Sequence, residues 1–149
     1  MHAVAHAGEA AGAFSVRAAV EVLCAERIGH GVRSVEDPAV VRLLAERGVA
    51  LEICPTSNRL TGAVRPGAPH PIAKLDAGGV RCTIDADDPA LFSTTLESEY
   101  VRVGSQCGRA SLVRFARNAI DASFAAPEHK ARLSTAFEAA VAGLETPSG

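Results

Sequence analysis

The sequence predicts an α/β fold in which short parallel strands are joined by crossover helices. Two observations carry this. Four short apolar runs, at residues 2–6, 27–30, 49–53 and 80–84, alternate with helical stretches, and no hairpin turn joins any two of them. That is the pattern of a parallel sheet rather than a meander. Each run also ends in polar or ionisable residues: His6 and Glu9, then His30, then Ser57 and Asn58, then Asp87 and Asp88. In a parallel α/β sheet the strand C-termini share one edge, so residues distant in sequence converge there.

Taken in order, the first strand ends at His6 and Gly8 permits a tight turn before Glu9. Phe14, Val16, Ala19, Val20 and Leu23 recur at three- and four-residue spacing and predict a helix over 14–25. The second strand runs into His30, flanked by Gly29 and Gly31. Asp37-Pro38 is a cap followed by a first-position proline, and Gly48 is a natural helix stop. Val49–Ile53 is the third strand, Cys54–Asn58 its polar end, and 59–69 a Gly- and Pro-rich loop. His70-Pro71 opens a short helix through Asp76, closed by Gly78-Gly79. Val80–Ile84 leads into Asp85-Ala86-Asp87-Asp88-Pro89, where Pro89 ends the strand and can start a helix. The remainder is helical, over roughly 90–104, 109–120 and 127–143.

Bulk properties exclude several classes. The 149 residues fit one ordinary domain, and 48% hydrophobic content is enough for a core. A formal charge of −2 leaves no footprint for nucleic acid or an anionic membrane. Cys24, Cys54, Cys82 and Cys107 form no CxxC pair, which fits reduced thiols and a cytoplasmic setting. There is no long apolar run and no basic-then-apolar leader, so neither a transmembrane helix nor a secretory signal is expected.

The converging residues suggest chemistry. A neutral imidazole, His6, and a carboxylate, Asp87, suit zinc. A catalytic zinc needs three protein ligands or more, so the chain shows part of a metal site. His30 could orient a metal-activated water or take its proton, Glu9 could protonate a substrate nitrogen, and Asp88 could fix the substrate by a hydrogen bond. The plainer alternative for Asp87 and Asp88 is acids at a helix N-terminus, which the macrodipole favours. Ser57 and Asn58 read most simply as turn formers bonding their own backbone, with a supporting role in the pocket as the lesser reading. His70 reads as an exposed loop residue or helix cap and His129 as a surface residue. Cys54 and Cys82 read as buried, inert thiols. Glu52, in mid-strand, needs a partner that the sequence does not name.

Four ordered motifs carry a resemblance: His6-Ala7-Gly8-Glu9, Arg27-Ile28-Gly29-His30-Gly31, Leu51-Glu52-Ile53-Cys54-Pro55-Thr56-Ser57-Asn58 and Asp87-Asp88-Pro89. Together with Asn118–Phe124 they resemble the adenosine/adenine deaminase family, metal-dependent amidohydrolase-type enzymes with a (β/α)₈ barrel, over essentially the whole chain. The resemblance implies the C-terminal half of that barrel: four parallel strands with crossover helices, then extra C-terminal helices, as a single partial domain over 1–149. It implies His6 and Asp87 as ligands of a zinc ion, Glu9 as the acid that protonates the purine ring, His30 as the histidine that activates or holds the water, and Asp88 as a substrate contact. The implied reaction is hydrolysis of the 6-amino group of adenosine or a related aminopurine nucleoside or base, with loss of ammonia.

The chain departs from the family pattern in lacking the HxH pair of the first barrel strand, which supplies two more ligands. Ala13-Phe14 stands where Pro-Glu is common, and Asp85-Ala86 where Asn followed by Ser or Thr is usual. A half-barrel leaves two strand edges open, so the piece is expected to be inactive alone and to self-associate or pair with an N-terminal barrel half. The alternatives are a non-catalytic remnant or interaction module, and half of a split deaminase of different aminopurine specificity.

Overall fold

The structure, a computed structural model, describes residues 1–145. Four strands, β1 (Val4–Ala7), β2 (Arg27–His30), β3 (Ala50–Ile53) and β4 (Arg81–Ile84), form one parallel sheet in sequential order. The crossovers contain α1 (Ala13–Glu21), a 3₁₀ turn at Val32–Glu36, α2 (Pro38–Arg47), α3 (Pro55–Leu60) and α4 (Ile72–Ala77). After β4 come α5 (Pro89–Phe92), α6 (Leu96–Ala122) and α7 (Pro127–Glu145). Sequentially ordered βα units of this kind form part of a (β/α) barrel. No helix among the described residues is long and apolar enough to cross a membrane.

The register divides the sheet into two faces. Ala5, Ile28, Leu51 and Cys82 lie abreast on one, and the last three are fully buried. They pack into a core with Val16, Val40, Leu44, Leu75 and Phe115 from the helices. His6, Gly29, Glu52 and Thr83 lie abreast on the opposite face, where His6 is exposed. The chain therefore buries most of its helix-facing side, with Ala5 of β1 partly buried, and leaves His6 on the other side exposed.

Local chemistry explains the boundaries. The Asp37 carboxylate accepts from the Ala39 N–H at 2.8 Å, Pro38 opens α2, and Gly48 closes it with a left-handed backbone. Two expectations need correction. Residues 55–60 form α3 rather than a strand end and loop, because Pro55 supplies a ready first helical residue directly after β3. Residues 90–104 split into α5 and the start of α6, since Ser93 adopts a left-handed backbone and Thr95 and Ser98 form a capping box for a new helix. The expected break near 104–109 appears as a kink at Gly108 within α6.

The C-terminal segment packs against the sheet, α6 lying against β4. Asn118 donates to the carbonyl of Cys82 at 2.9 Å, satisfying an acceptor in the edge strand β4. Phe124 stacks on His2 with ring centroids 4.0 Å apart, and the Arg27 guanidinium lies 4.0 Å from the Phe124 centroid. Arg27 also forms an ion pair with Glu52 at 3.1 Å, although its alignment falls short of a hydrogen bond. This is the partner that Glu52 required.

Candidate active site

The C-terminal ends of the strands bring the distant residues together. A cavity of about 260 Å³ is lined by His6, Gly29, His30, Glu52, Cys54, Asp85, Ala86 and Asp87. His6 reaches it from β1 because Gly29, beside it on β2, has no side chain; a Cβ there would stand 2.9 Å from His6 Nδ1. The rings of His6 and His30 meet edge to face at 5.1 Å. His30 Nε2 lies 3.4 Å from Glu9 Oε2 and 3.9 Å from Asp87 Oδ2. His30 and Asp87 both hold left-handed backbones, with φ of 63° and 58°. Such strain in non-glycine residues survives where the surroundings over-determine it, and it gathers at functional sites.

Asp88 is exposed, and its Oδ1 caps α5 by accepting from the Leu91 N–H at 2.9 Å. The helix-cap reading of that carboxylate is thus realised. Asp85 accepts from the Thr83 hydroxyl at 2.7 Å and adds charge beside the cavity.

Four residues are more deeply buried than the sequence suggests. His70 is buried, not an exposed loop residue, because α6 folds back over it: Gln106 accepts from its N–H at 3.1 Å and donates to its carbonyl at 2.5 Å. Asn58 is completely buried and bonds side chains rather than its own backbone: its Nδ2 lies 3.0 Å from His30 Nδ1 and its Oδ1 3.3 Å from His70 Nε2. Ser57 is buried as well, with its hydroxyl unpaired among the described residues. Glu99, in the first turn of α6, is fully buried; it accepts from the Thr56 N–H at 2.8 Å and from the Thr94 hydroxyl. That places a carboxylate at the N-terminus of α3, the helix that carries Asn58. A lone His-Pro in a Gly-rich loop, or a Glu in a helical stretch, carries no periodic sign of burial.

Burial, with the charge of Arg59 adding to it, lowers the pKa of His70 from 6.5 to about 4. The unfolded chain then takes up the proton first as pH falls, so it binds more protons than the folded chain across this window. The His70 contribution to stability is complete above about pH 6.5 and declines towards pH 4, by up to about 3 kcal/mol. Urea midpoints measured at about pH 7 and about pH 4.5 should show this loss, and His70→Gln should show less of it.

The donor chemistry fits a divalent cation in part. Glu52, Asp85 and Asp87 gather around one small cavity, and among the described residues only Glu52 is matched there by an arginine. Among the described residues, metal-capable atoms of His30, Cys54 and Asp87 lie within 4.8 Å of one another. Burial first, then the carboxylates of Asp85 and Asp87, push the Cys54 thiol well above its usual range. Cys82 is likewise buried, with its thiol pushed up. His6 lies outside the tight grouping but lines the same cavity, and imidazole with carboxylate is the better-matched pair.

The chain is similar to known proteins both in sequence and in fold. The chain is 44% identical over 136 residues to aminodeoxyfutalosine deaminase of Streptomyces coelicolor, covering 90% of this chain and 35% of that protein. Its structure superposes on the crystal structure of adenine deaminase from Arthrobacter aurescens with a TM-score of 0.88 and 34% identity, covering 95% of this chain and 44% of that one. An amidohydrolase from Burkhoderia ambifaria with bound Zn matches at a TM-score of 0.83 and 28% identity, over 93% of this chain and 40% of that one. The chain thus spans less than half the length of these relatives. The family model for adenosine deaminase matches residues 1–140. By sequence and by fold, this partial (β/α) barrel with its C-terminal helices belongs to the adenosine deaminase family.

Proposed function

We propose that this chain supplies half of the active site of a metal-dependent deaminase that releases the 6-amino group of an aminopurine as ammonia. The observation that carries the reading is the approach of Glu9 and Asp87 to His30, at 3.4 and 3.9 Å, beside an acidic cavity that His6 also lines. In this reading His6 and Asp87 hold a zinc ion with ligands from outside the chain. The ion, when bound, supplies Lewis acidity and lowers the pKa of water. Glu9 delivers a proton to a purine ring nitrogen, which makes C6 a better electron acceptor. His30 holds the attacking water or takes its proton, and Asp88 offers the substrate the carboxylate oxygen that does not cap α5.

The test joins this chain to the N-terminal part of a longer relative, such as the Streptomyces coelicolor aminodeoxyfutalosine deaminase. Ammonia release is then measured with adenosine, adenine and aminodeoxyfutalosine. Metal-dependent release from at least one of them is expected. A folded, zinc-loaded assembly that releases none overturns the reading.

A further inference from the structure

The network behind His30 leads from a backbone N–H to the floor of the site. The Ile72 N–H is an obligate donor and lies 3.2 Å from His70 Nδ1, so that nitrogen accepts. His70 therefore carries its proton on Nε2 and donates to Asn58 Oδ1 at 3.3 Å. With its oxygen so engaged, the Asn58 amide must present Nδ2 to His30 Nδ1 at 3.0 Å, and Nδ2 can only donate. His30 Nδ1 is thus an acceptor, and the ring proton belongs on Nε2, the nitrogen that faces Glu9 and Asp87. All three side chains are at most 3% exposed, so water does not compete for these bonds. Gln106 from α6 clamps the His70 backbone at both its N–H and its carbonyl, fixing the origin of the chain of bonds.

We infer that Asn58 and His70 are positioning residues that lock His30 in the Nε2–H tautomer. The opposite tautomer would set an N–H of His30 against an N–H of Asn58 in a dry interior. A ring locked in this way holds an oxygen in the cavity by donating to it, and its Nε2 has no lone pair with which to take a proton. Of the two tasks open to His30, the network selects holding the water. That chemical use rests on the deaminase reading above; the tautomer does not.

Long-range proton–nitrogen correlation spectra of the 149-residue chain, labelled with ¹⁵N in the histidine rings, read the tautomer directly at neutral pH. If association through the open strands makes the particles too large, magic-angle-spinning spectra of the same sample serve. His30 should show a protonated Nε2 and an unprotonated Nδ1. In Asn58→Asp, where the side chain only accepts, Nδ1 should gain a proton. In His70→Ala, which frees the Asn58 amide to turn, the two nitrogen shifts should converge. A wild-type His30 with a protonated Nδ1 or averaged shifts overturns the inference without any variant. An unprotonated Nδ1 in folded Asn58→Asp overturns it too, and an unchanged His30 in His70→Ala removes His70 from it. Turnover by the joined enzyme with His30 in the opposite tautomer would sink this inference alone. The expected tautomer with no turnover would sink the deaminase reading alone.

Discussion

Zinc and adenosine supplied to the 149-residue chain by itself are expected to yield ammonia at no more than the enzyme-free rate. In the proposed site the chain contributes two ligands, His6 and Asp87, whereas a catalytic zinc needs three protein ligands or more. The face bearing His6 and Glu52 is only partly covered, so water reaches the charges that would stabilise a transition state and weakens them. β1 and β4 are the edges of the sheet, and their unpaired backbone groups invite further strands. Joined to the N-terminal part of a longer relative, the same residues should become catalytic. In that assembly Glu9→Gln should lower kcat/KM by about 10²–10⁴-fold, the range for loss of a general acid. Asp87→Ala should lose both metal and activity. Ammonia release and metal content, measured on the isolated and the joined protein, separate these outcomes. Turnover by the isolated chain at a rate near that of the joined enzyme would show that its own residues complete the site.

Much of this site is legible in the sequence because parallel sheets impose a simple rule. Short apolar runs ending in His6, His30 and Asp87 must align their ends, and they do, so three residues spread over most of the chain share one small cavity. Asp37-Pro38 and Gly48 bound α2 because capping is local chemistry. What escapes is set by tertiary contact. The burial of His70 comes from Gln106, 36 residues away, and that of Glu99 from Thr56, 43 residues away. Asn58 is a fair turn former by type, and only the neighbouring imidazoles of His30 and His70 turn its amide into a link between them. The tasks still open to His30 from sequence alone are separated by that link, because residue identity does not record which ring nitrogen carries the proton.

Gly8→Ala is expected to destabilise the fold by about 3–4 kcal/mol, against about 1 kcal/mol for Gly48→Ala. Both glycines adopt left-handed backbones, with φ of 66° and 63°, so both substitutions carry the same conformational strain. They differ in their surroundings. A Cβ on Gly8 would stand 2.6 Å from Val16 Cγ2 and 3.0 Å from the Gly31 Cα, while one on Gly48 meets nothing within 4 Å. Neither neighbour of Gly8 can yield easily. Val16 is fully buried in the core, and Gly31 is tied down by its own N–H to the Ala7 carbonyl at 2.9 Å. The Gly8 backbone is held too, by the Ser15 hydroxyl on its N–H at 2.9 Å and by the Arg33 N–H on its carbonyl at 3.0 Å. A loss of this size is a large share of the roughly 5–15 kcal/mol that holds an ordinary domain together. Urea midpoints of the two variants at a common slope would measure the difference. Equal midpoints would mean that the close approach of Gly8 and Gly31, just past the ends of β1 and β2, has room to spare. That approach also sets the site, since Glu9 and His30 flank these glycines. In the joined enzyme, Gly8→Ala should therefore lower kcat even where the protein remains folded, and Gly48→Ala should not.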